Sequence, residues 1–407
     1  MEFNVTIKRN LIAGTALALS ATAAMAQEEI VFVSCGSGSD PQAAVQAEHI
    51  ADWEAANPDY TVNLEFVAWS QCQERVMTLA AAGNAPAVAY LGSRVLKQLS
   101  ESGLIRPIDL SAEELDSYEP SVLSTVSFDQ KVWGMPRAFS SQALFYNKTL
   151  FAEAGVDMPE GPTTWEELLA AAKAVSENTD ADGFGMPADT TDTAMHAWMN
   201  FLYSNGGAIL DADGNVTFDS PAVVETLAMY GELAKYSQNG PLAYDRASLE
   251  PLFSEGRIAM YTTGGWGRSK TGDVDYGIAF VPHGPSGESG SVLITDSLVV
   301  FDNTGVGDTA EDLVTYLTAP ERQADFDLAG GWTPIRKTAA IDALIAEDPS
   351  WSYFIDSVPS GGSEPLFVDY IGMRDAINEA IQTVVVGDGT AEEAADTAQA
   401  ELEDLLD

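Results

Sequence analysis

Short apolar runs alternate with amphipathic stretches through the first third of the chain. "EIVFVS", from Glu29, enters the turn Gly36-Ser37-Gly38-Ser39-Asp40 and then "PQAAVQAEHIADWEAANP". There Val45, His49, Ile50 and Trp53 recur at three and four spacing, the period of a helix with one buried face. "TVNLEFVAW" followed by "SQCQERVMTLAAAGNAP" repeats the strand–helix unit, and "AVAYLGS" supplies a third strand. Alternation of this kind predicts a mostly parallel sheet with helices on both faces. Ligands of such sheets lie outside the carboxyl ends of the strands, so Ser37, Trp69 and Ser93 are expected along one edge.

From Lys131 the period changes. "KVWGMPRAFSSQALFYNK" reads as extended segments around a turn, and "GPTTWEELLAAAKAV" as a helix. Thr164 caps that helix, and Glu167 three residues later completes a predicted capping box. Helices over "TAMHAWMNFLYSNG" and "PAVVETLAMYGELAKYSQ" follow, then a strand over "SVLITDSLVVF" and helical pattern over "GDTAEDLVTYLTAPERQADFDLAG". The tail "GTAEEAADTAQAELEDLL" is a capped helix with Thr390 and Glu393 as its box. Neither repeats nor low-complexity linkers interrupt the pattern, which favours two lobes joined by several short crossings.

The first residues bear on the compartment. Lys8 and Arg9 precede an apolar run from Leu11 to Leu19, and Ala24-Met25-Ala26 offers a small-x-small cleavage site. That order predicts a secretory leader over 1–26, too short to span a bilayer, and a mature chain from Gln27. Cys35 lacks a lipobox context. Removing the leader leaves 61 acidic against 17 basic residues, a formal charge of −44. Such a surface repels nucleic acid and anionic lipid. The two cysteines, Cys35 and Cys72, end one predicted strand and follow the next; in an oxidising compartment they can bridge, and the sequence leaves that open.

Catalytic chemistry is hard to seat. The three histidines, His49, His196 and His283, lack a second metal ligand at a suitable spacing, and His49 lies on the inward stripe of its helix. A G-x-S-x-G elbow is missing, and the glycine turn has neither a G-K-[ST] ending nor the G-x-G-x-x-G spacing. "NTDADGFG" and "DADGN" lack the glycine position and closing glutamate of a calcium loop and read as turns. Neither a metal nor a cofactor is expected. A secreted glycosidase stays as a remote alternative because acidic pairs are abundant.

Five stretches in order carry a family resemblance: "ADWEAANPDYTVN", "LAAAGNAPAVAYLGS", "VWGMPRAFSSQALFYNKTLFAEAG" with "GPTTWEELLAAAK", "LFSEGRIAMYTTGGWG" and "GGWTPIRK". The chain resembles the carbohydrate-type extracellular solute-binding proteins of ATP-driven importers, which include the maltodextrin-binding proteins. Ala87 departs from the pattern, standing where the family motif usually has aspartate. The resemblance implies an α/β, two-lobed periplasmic-binding-protein fold of type II, each lobe a mostly parallel sheet flanked by helices. Residues 27–138 and 292–335 are expected to form the N-terminal lobe, and 139–291 and 336–407 the C-terminal lobe. It implies a periplasmic monomer that closes on a sugar or sugar derivative and delivers it to a membrane permease without reaction. A chemoreceptor-coupled sensor would share the fold.

Sugar sites stack aromatic faces on pyranose C–H groups and ring them with planar polar groups. The contacts expected on the first lobe are Gly36, Ser37, Trp69, Gln71 and Ser93, with Arg137 and Phe139 at the hinge. On the second lobe they are Thr190, Thr191, Gly265 and Trp266, with Gly331, Trp332 and Arg336 at the third crossing. Trp53, Trp165 and Trp198 fall within helices and are expected in the core. Arg94, Arg137, Arg268 and Arg336 all lie on predicted cleft-side loops, so a phosphorylated, sulfonated or acidic derivative is the main alternative ligand. Otherwise these arginines tie the lobes together through carboxylates.

Overall fold

The computed structural model describes residues 27–336 and 340–406, with Met1 beside them; the expected leader therefore lies, Met1 apart, outside the described residues. Strand β1 (Glu28–Cys35) runs parallel to β2 (Tyr60–Val67) on one side and β3 (Val88–Gly92) on the other. Helix α1 (Pro41–Ala56) makes the first crossover and α2 (Trp69–Ala81) the second. Because the chain leaves β1 to one side and returns to the other, the carboxyl ends of β1 and β3 flank a crevice. β1 is buried from both faces, with Ile30, Phe32 and Val33 almost fully enclosed, which explains its near-continuous apolar run. α1 buries Ala43, Gln46, His49, Ile50 and Trp53 along one stripe. The Trp53 indole N–H donates to Asp312 Oδ2 at 3.0 Å.

Strands β4 (Met135–Ser140) and β5 (Ala143–Asn147) are separated only by Ser141 and Gln142, yet they never pair. β5 is the centre of a second, three-stranded sheet between β6 (Met260–Thr263) and β7 (Tyr276–Ala279). Both neighbours are antiparallel to it, so the second sheet is not the mostly parallel one expected. The parallel pairings there, among the described residues, are isolated bridges: Thr164 with His283, Asp182 with Ile258 and Phe184 with Ser237. β8 (Val292–Val300) returns to the first sheet, antiparallel to β3 and to β4, and β9 (Gly362–Ser363) extends it in parallel. The crossing expected at 138 thus lies within a strand that continues to Ser140.

Helices close both lobes. α3 (Trp165–Asn178), α4 (Asp192–Ser204) and α5 (Pro221–Ala234) bury Trp165, Trp198 and Tyr230 against the second sheet's core. α6 (Arg246–Ser254) packs beside β6. α7 (Gly307–Leu317) and α8 (Pro320–Gly330) cover the first sheet, while α9 (Tyr370–Val386) and α10 (Ala391–Asp404) pack on α5. Thr390 and Glu393 form the full capping box. At α3 only half of the expected box exists: Thr164 Oγ1 accepts from the Glu167 N–H, but the Glu167 carboxylate accepts from the N–H and hydroxyl of Thr163 instead.

Two further features position the crevice. Cys35 and Cys72 are disulfide-bonded, tying the end of β1 to the first turn of α2. At the crossings, the Gln142 N–H donates to Ser291 Oγ at 3.0 Å, and Asn200 Nδ2 donates to Gln142 Oε1 at 2.8 Å. Asn200 Oδ1 in turn accepts from the Val292 N–H, and Ser141 Oγ donates to the Phe354 carbonyl.

Candidate functional site

Two Gly-Gly-Trp triplets, 264–266 and 330–332, meet across the seam between the sheets. Gly331 ends α8 with φ +70°, the left-handed conformation that glycine adopts most easily. A Cβ there would press on the Trp266 backbone at 3.2 Å, and one on Gly265 would run into the Gly331 carbonyl. Small residues thus let the two loops touch, and their side chains follow: Trp266 and Trp332 have ring centroids 5.0 Å apart at 55°. Both rings are part-exposed, yet each indole nitrogen is buried without a hydrogen-bond partner. The Arg246 guanidinium lies 5.0 Å from the Trp266 ring centre, a cation–π distance.

Trp332 also walls a cavity of about 240 Å³ together with Gln323, Asp327, Leu328, Arg336 and Leu344. Burial pushes the Asp327 carboxyl up to about 8, against the hydrogen bond from Gln323 and the charge of Arg137. The volume is below the roughly 300–1,000 Å³ typical of drug-sized ligands, which suits a small solute.

A second group of side chains stands at the carboxyl end of β3. Arg94, whose side chain is 4 % exposed, sends Nε to 2.9 Å from Glu364 Oε1 and 3.5 Å from Asp192 Oδ2, and Nη1 to 3.5 Å from Asp296 Oδ1. Asp192 opens α4 of the second lobe, Asp296 lies on β8, and Glu364 follows β9. His196 Nε2 meets the same Glu364 oxygen at 2.5 Å, and Gln73 Nε2 donates to Asp192 Oδ2 at 2.7 Å. Burial alone would lower the Arg94 pKa; the surrounding carboxylates, Glu364 foremost, outweigh it and raise it. Burial pushes Asp296 up to about 6 despite Arg94. At Asp192 the burial effect is overcome by Arg94, His196 and Arg374, and its pKa is lowered.

The N-terminus of α4 joins the two groups. Thr191 Oγ1 donates to Asp189 and shares a 2.9 Å hydrogen bond with Thr193, whose hydroxyl accepts from the Arg246 N–H. A continuous polar rim therefore runs from Arg94 through Asp192 and Thr193 to Arg246 and the tryptophans.

The expected contacts fall into two sets. On the first lobe Gly36, Ser37 and Trp69 gather at one corner: a Cβ on Gly36 would lie 3.8 Å from the Trp69 indole nitrogen, and the Ser37 N–H donates to Asp40. Trp69 begins α2 rather than ending β2 and packs edge-on against Tyr90 at 5.7 Å. Gln71 and Thr190 are exposed, and Thr191 is half-buried beside the rim. Four others are turned inward. Ser93 Oγ is hydrogen-bonded to Ser297 Oγ at 2.6 Å, and Phe139 is a core residue of the first sheet. Arg137 is fully buried over the Phe326 ring at 3.8 Å and donates to the Leu317 carbonyl. Arg336 donates to the Ser117 and Tyr118 hydroxyls and the Thr318 carbonyl, and its Nε is buried without a partner. No local pattern in the sequence marks Asp192, Asp296, Glu364 or Arg246, although Asp192 lies inside the "ADTTDT" stretch. His196 stands out there only as a histidine without a metal partner at a suitable spacing.

Among the described residues no helix is long and apolar enough to cross a membrane. A protein of Brucella abortus (strain 2308) is 27 % identical over 411 residues, covering 98 % of each chain. The sn-glycerol-3-phosphate-binding periplasmic protein UgpB of Rhizobium meliloti (strain 1021) is 26 % identical over 312 residues, 69 % of this chain and 70 % of that one. A solute-binding protein of an ABC transporter from Thermotoga lettingae, bound to α-D-tagatose, superposes with a TM-score of 0.82 at 24 % identity, covering 94 % of this chain and all of the other. That likeness is one of fold: two α/β lobes of the type II periplasmic-binding arrangement. The family pattern for bacterial extracellular solute-binding proteins matches residues 36–324, and the chain belongs to that family.

Proposed function

We propose that this protein is the periplasmic binding component of an ABC importer, that it captures a small neutral sugar or polyol in the seam between its lobes, and that it passes the solute on unchanged. The observation that carries the reading is the Trp266–Trp332 pair, part-exposed beside a small cavity and held by two glycine-rich loops from different parts of the chain. Aromatic faces of this kind stack on sugar C–H groups, and the orphaned indole N–H donors match sugar hydroxyls. Gly36, Ser37, Trp69, Gln71, Thr190 and Thr191 line the facing rims, and a leader over 1–26 exports the chain. A ligand touching both lobes favours the closed arrangement and shifts that population.

The UgpB relative favours a second reading, an anionic polyol such as a glycerol phosphate. Against it, the cleft-side arginines are engaged internally: Arg94 by three carboxylates, Arg268 by Asp348, Arg137 and Arg336 by carbonyls, hydroxyls or Gln323.

The test is calorimetric titration of the chain from Gln27 with D-tagatose, ribitol, maltose and sn-glycerol 3-phosphate, with scattering curves and product analysis alongside. Saturable binding of a neutral member, a more compact curve and no product support the reading. A ligand at a hundred times its Kd should add about 2.7 kcal/mol to stability. Turnover of any sugar, or binding of the phosphate ester alone, would sink it.

A further inference from the structure

The Arg94 group is built from both lobes and crowded with charge, yet it is incompletely hydrogen-bonded. Arg94 Nε and Nη1, Asp296 Oδ1 and Gln73 Oε1 are all buried without a partner of good geometry. Buried polar atoms of that kind are costly unless something completes them, and a hydroxyl-bearing guest can both donate and accept. Carboxylates outnumber guanidiniums there, three to two. One first-lobe guanidinium faces Asp192 across the seam, Asp296 on its own sheet and Glu364 just beyond that sheet's last strand, with Arg374 Nη1 3.7 Å from Asp192.

We propose that Arg94 is the specificity-determining residue for ligand charge: Asp192, Asp296 and Glu364 hold its guanidinium as an internal counter-ion, so the seam admits uncharged polyhydroxy solutes and rejects phosphate esters. This deepens, and rests on, the assignment of the seam as the solute site. A phosphate arriving there meets three carboxylates around one arginine and finds the fork that would grip it occupied. Removing one carboxylate lessens the negative charge a phosphate meets and frees one edge of the Arg94 guanidinium. The same substitution leaves the tryptophan pair untouched, so neutral and anionic ligands respond differently.

The experiment titrates wild type, D192N and E364Q with sn-glycerol 3-phosphate and inorganic phosphate on one side, and with D-tagatose and ribitol on the other. The two variants remove charge from different elements, and thermal melts establish that each is folded. D192N or E364Q should gain about tenfold or more in affinity for the phosphate ester, and adding R94Q to the same chain should erase that gain. Wild-type protein that takes the phosphate ester more tightly than any neutral probe, or folded variants that gain nothing for either anion, would overturn the proposal. The neutral arm judges the sugar reading by itself: loss of neutral binding with an anion gain in the variants would discard the sugar and keep the charge filter.

Discussion

Trp266 and Trp332 come from loops far apart in the chain, and their rings meet at a centroid distance of 5.0 Å across the seam. If they form the sugar platform, W266A and W332A should each weaken binding of the neutral ligand by about tenfold or more, the loss expected for an aromatic anchor in a desolvated pocket. Trp53, enclosed in the first lobe, provides the contrast: W53F should lower the melting temperature and leave affinity nearly unchanged. Calorimetry with paired thermal melts reads both.

The Cys35–Cys72 bond closes a segment with sequence separation 37. Loop-closure entropy for a loop of that size predicts a loss of roughly 4 kcal/mol when the bridge is removed. The double substitution C35S/C72S should therefore lower the unfolding free energy by about 2–4 kcal/mol, read as a lower denaturant midpoint. Reducing agent should reproduce the shift in wild type and have no effect on the variant.

Asp327 is buried with its pKa pushed up to about 8, whereas its ordinary value is 3.8. Between those two values the folded chain holds a proton that the unfolded chain has released. Its contribution to stability therefore declines as pH rises across that window and levels off above 8. D327N removes the group, so its unfolding free energy should fall less steeply than wild type between pH 5 and 8. Parallel slopes for the two proteins would contradict the assignment.

Gly331 has φ +70° and stands 3.2 Å, at its would-be Cβ, from the Trp266 backbone. G331A should destabilise by about 1 kcal/mol or more from backbone strain and crowding together. Ligand affinity should fall as well, because the two tryptophan loops must part. G305A, at another positive φ but with open space around it, should pay only the strain and keep its affinity.

Local signals made much of the fold legible. The β1–α1–β2–α2–β3 succession follows from apolar period and glycine punctuation, and the Thr390–Glu393 box depends on residues three apart. Where longer-range pairing decides, the sequence was less informative. The reversed entry of β5 into an antiparallel sheet depends on β6 and β7, more than a hundred residues downstream. At the site, glycine-flanked tryptophans stood out, but nothing local distinguishes Arg94, which faces distant carboxylates, from Arg137, which faces a carbonyl. Glu364 is one acid among many, and its role depends on His196 and Arg94 reaching it from elsewhere.

The stitching at residues 141–142 and 291–292 limits how the lobes can pivot. Gln142 is hydrogen-bonded to Ser291, and Asn200 holds both connections at once. Two ribbons clasped by one amide are coupled to each other and to α4, so a pivot there would turn them as one axle with α4 as its arm. Because Asp192 opens that arm, a small rotation at the axle is delivered directly to the partners of Arg94.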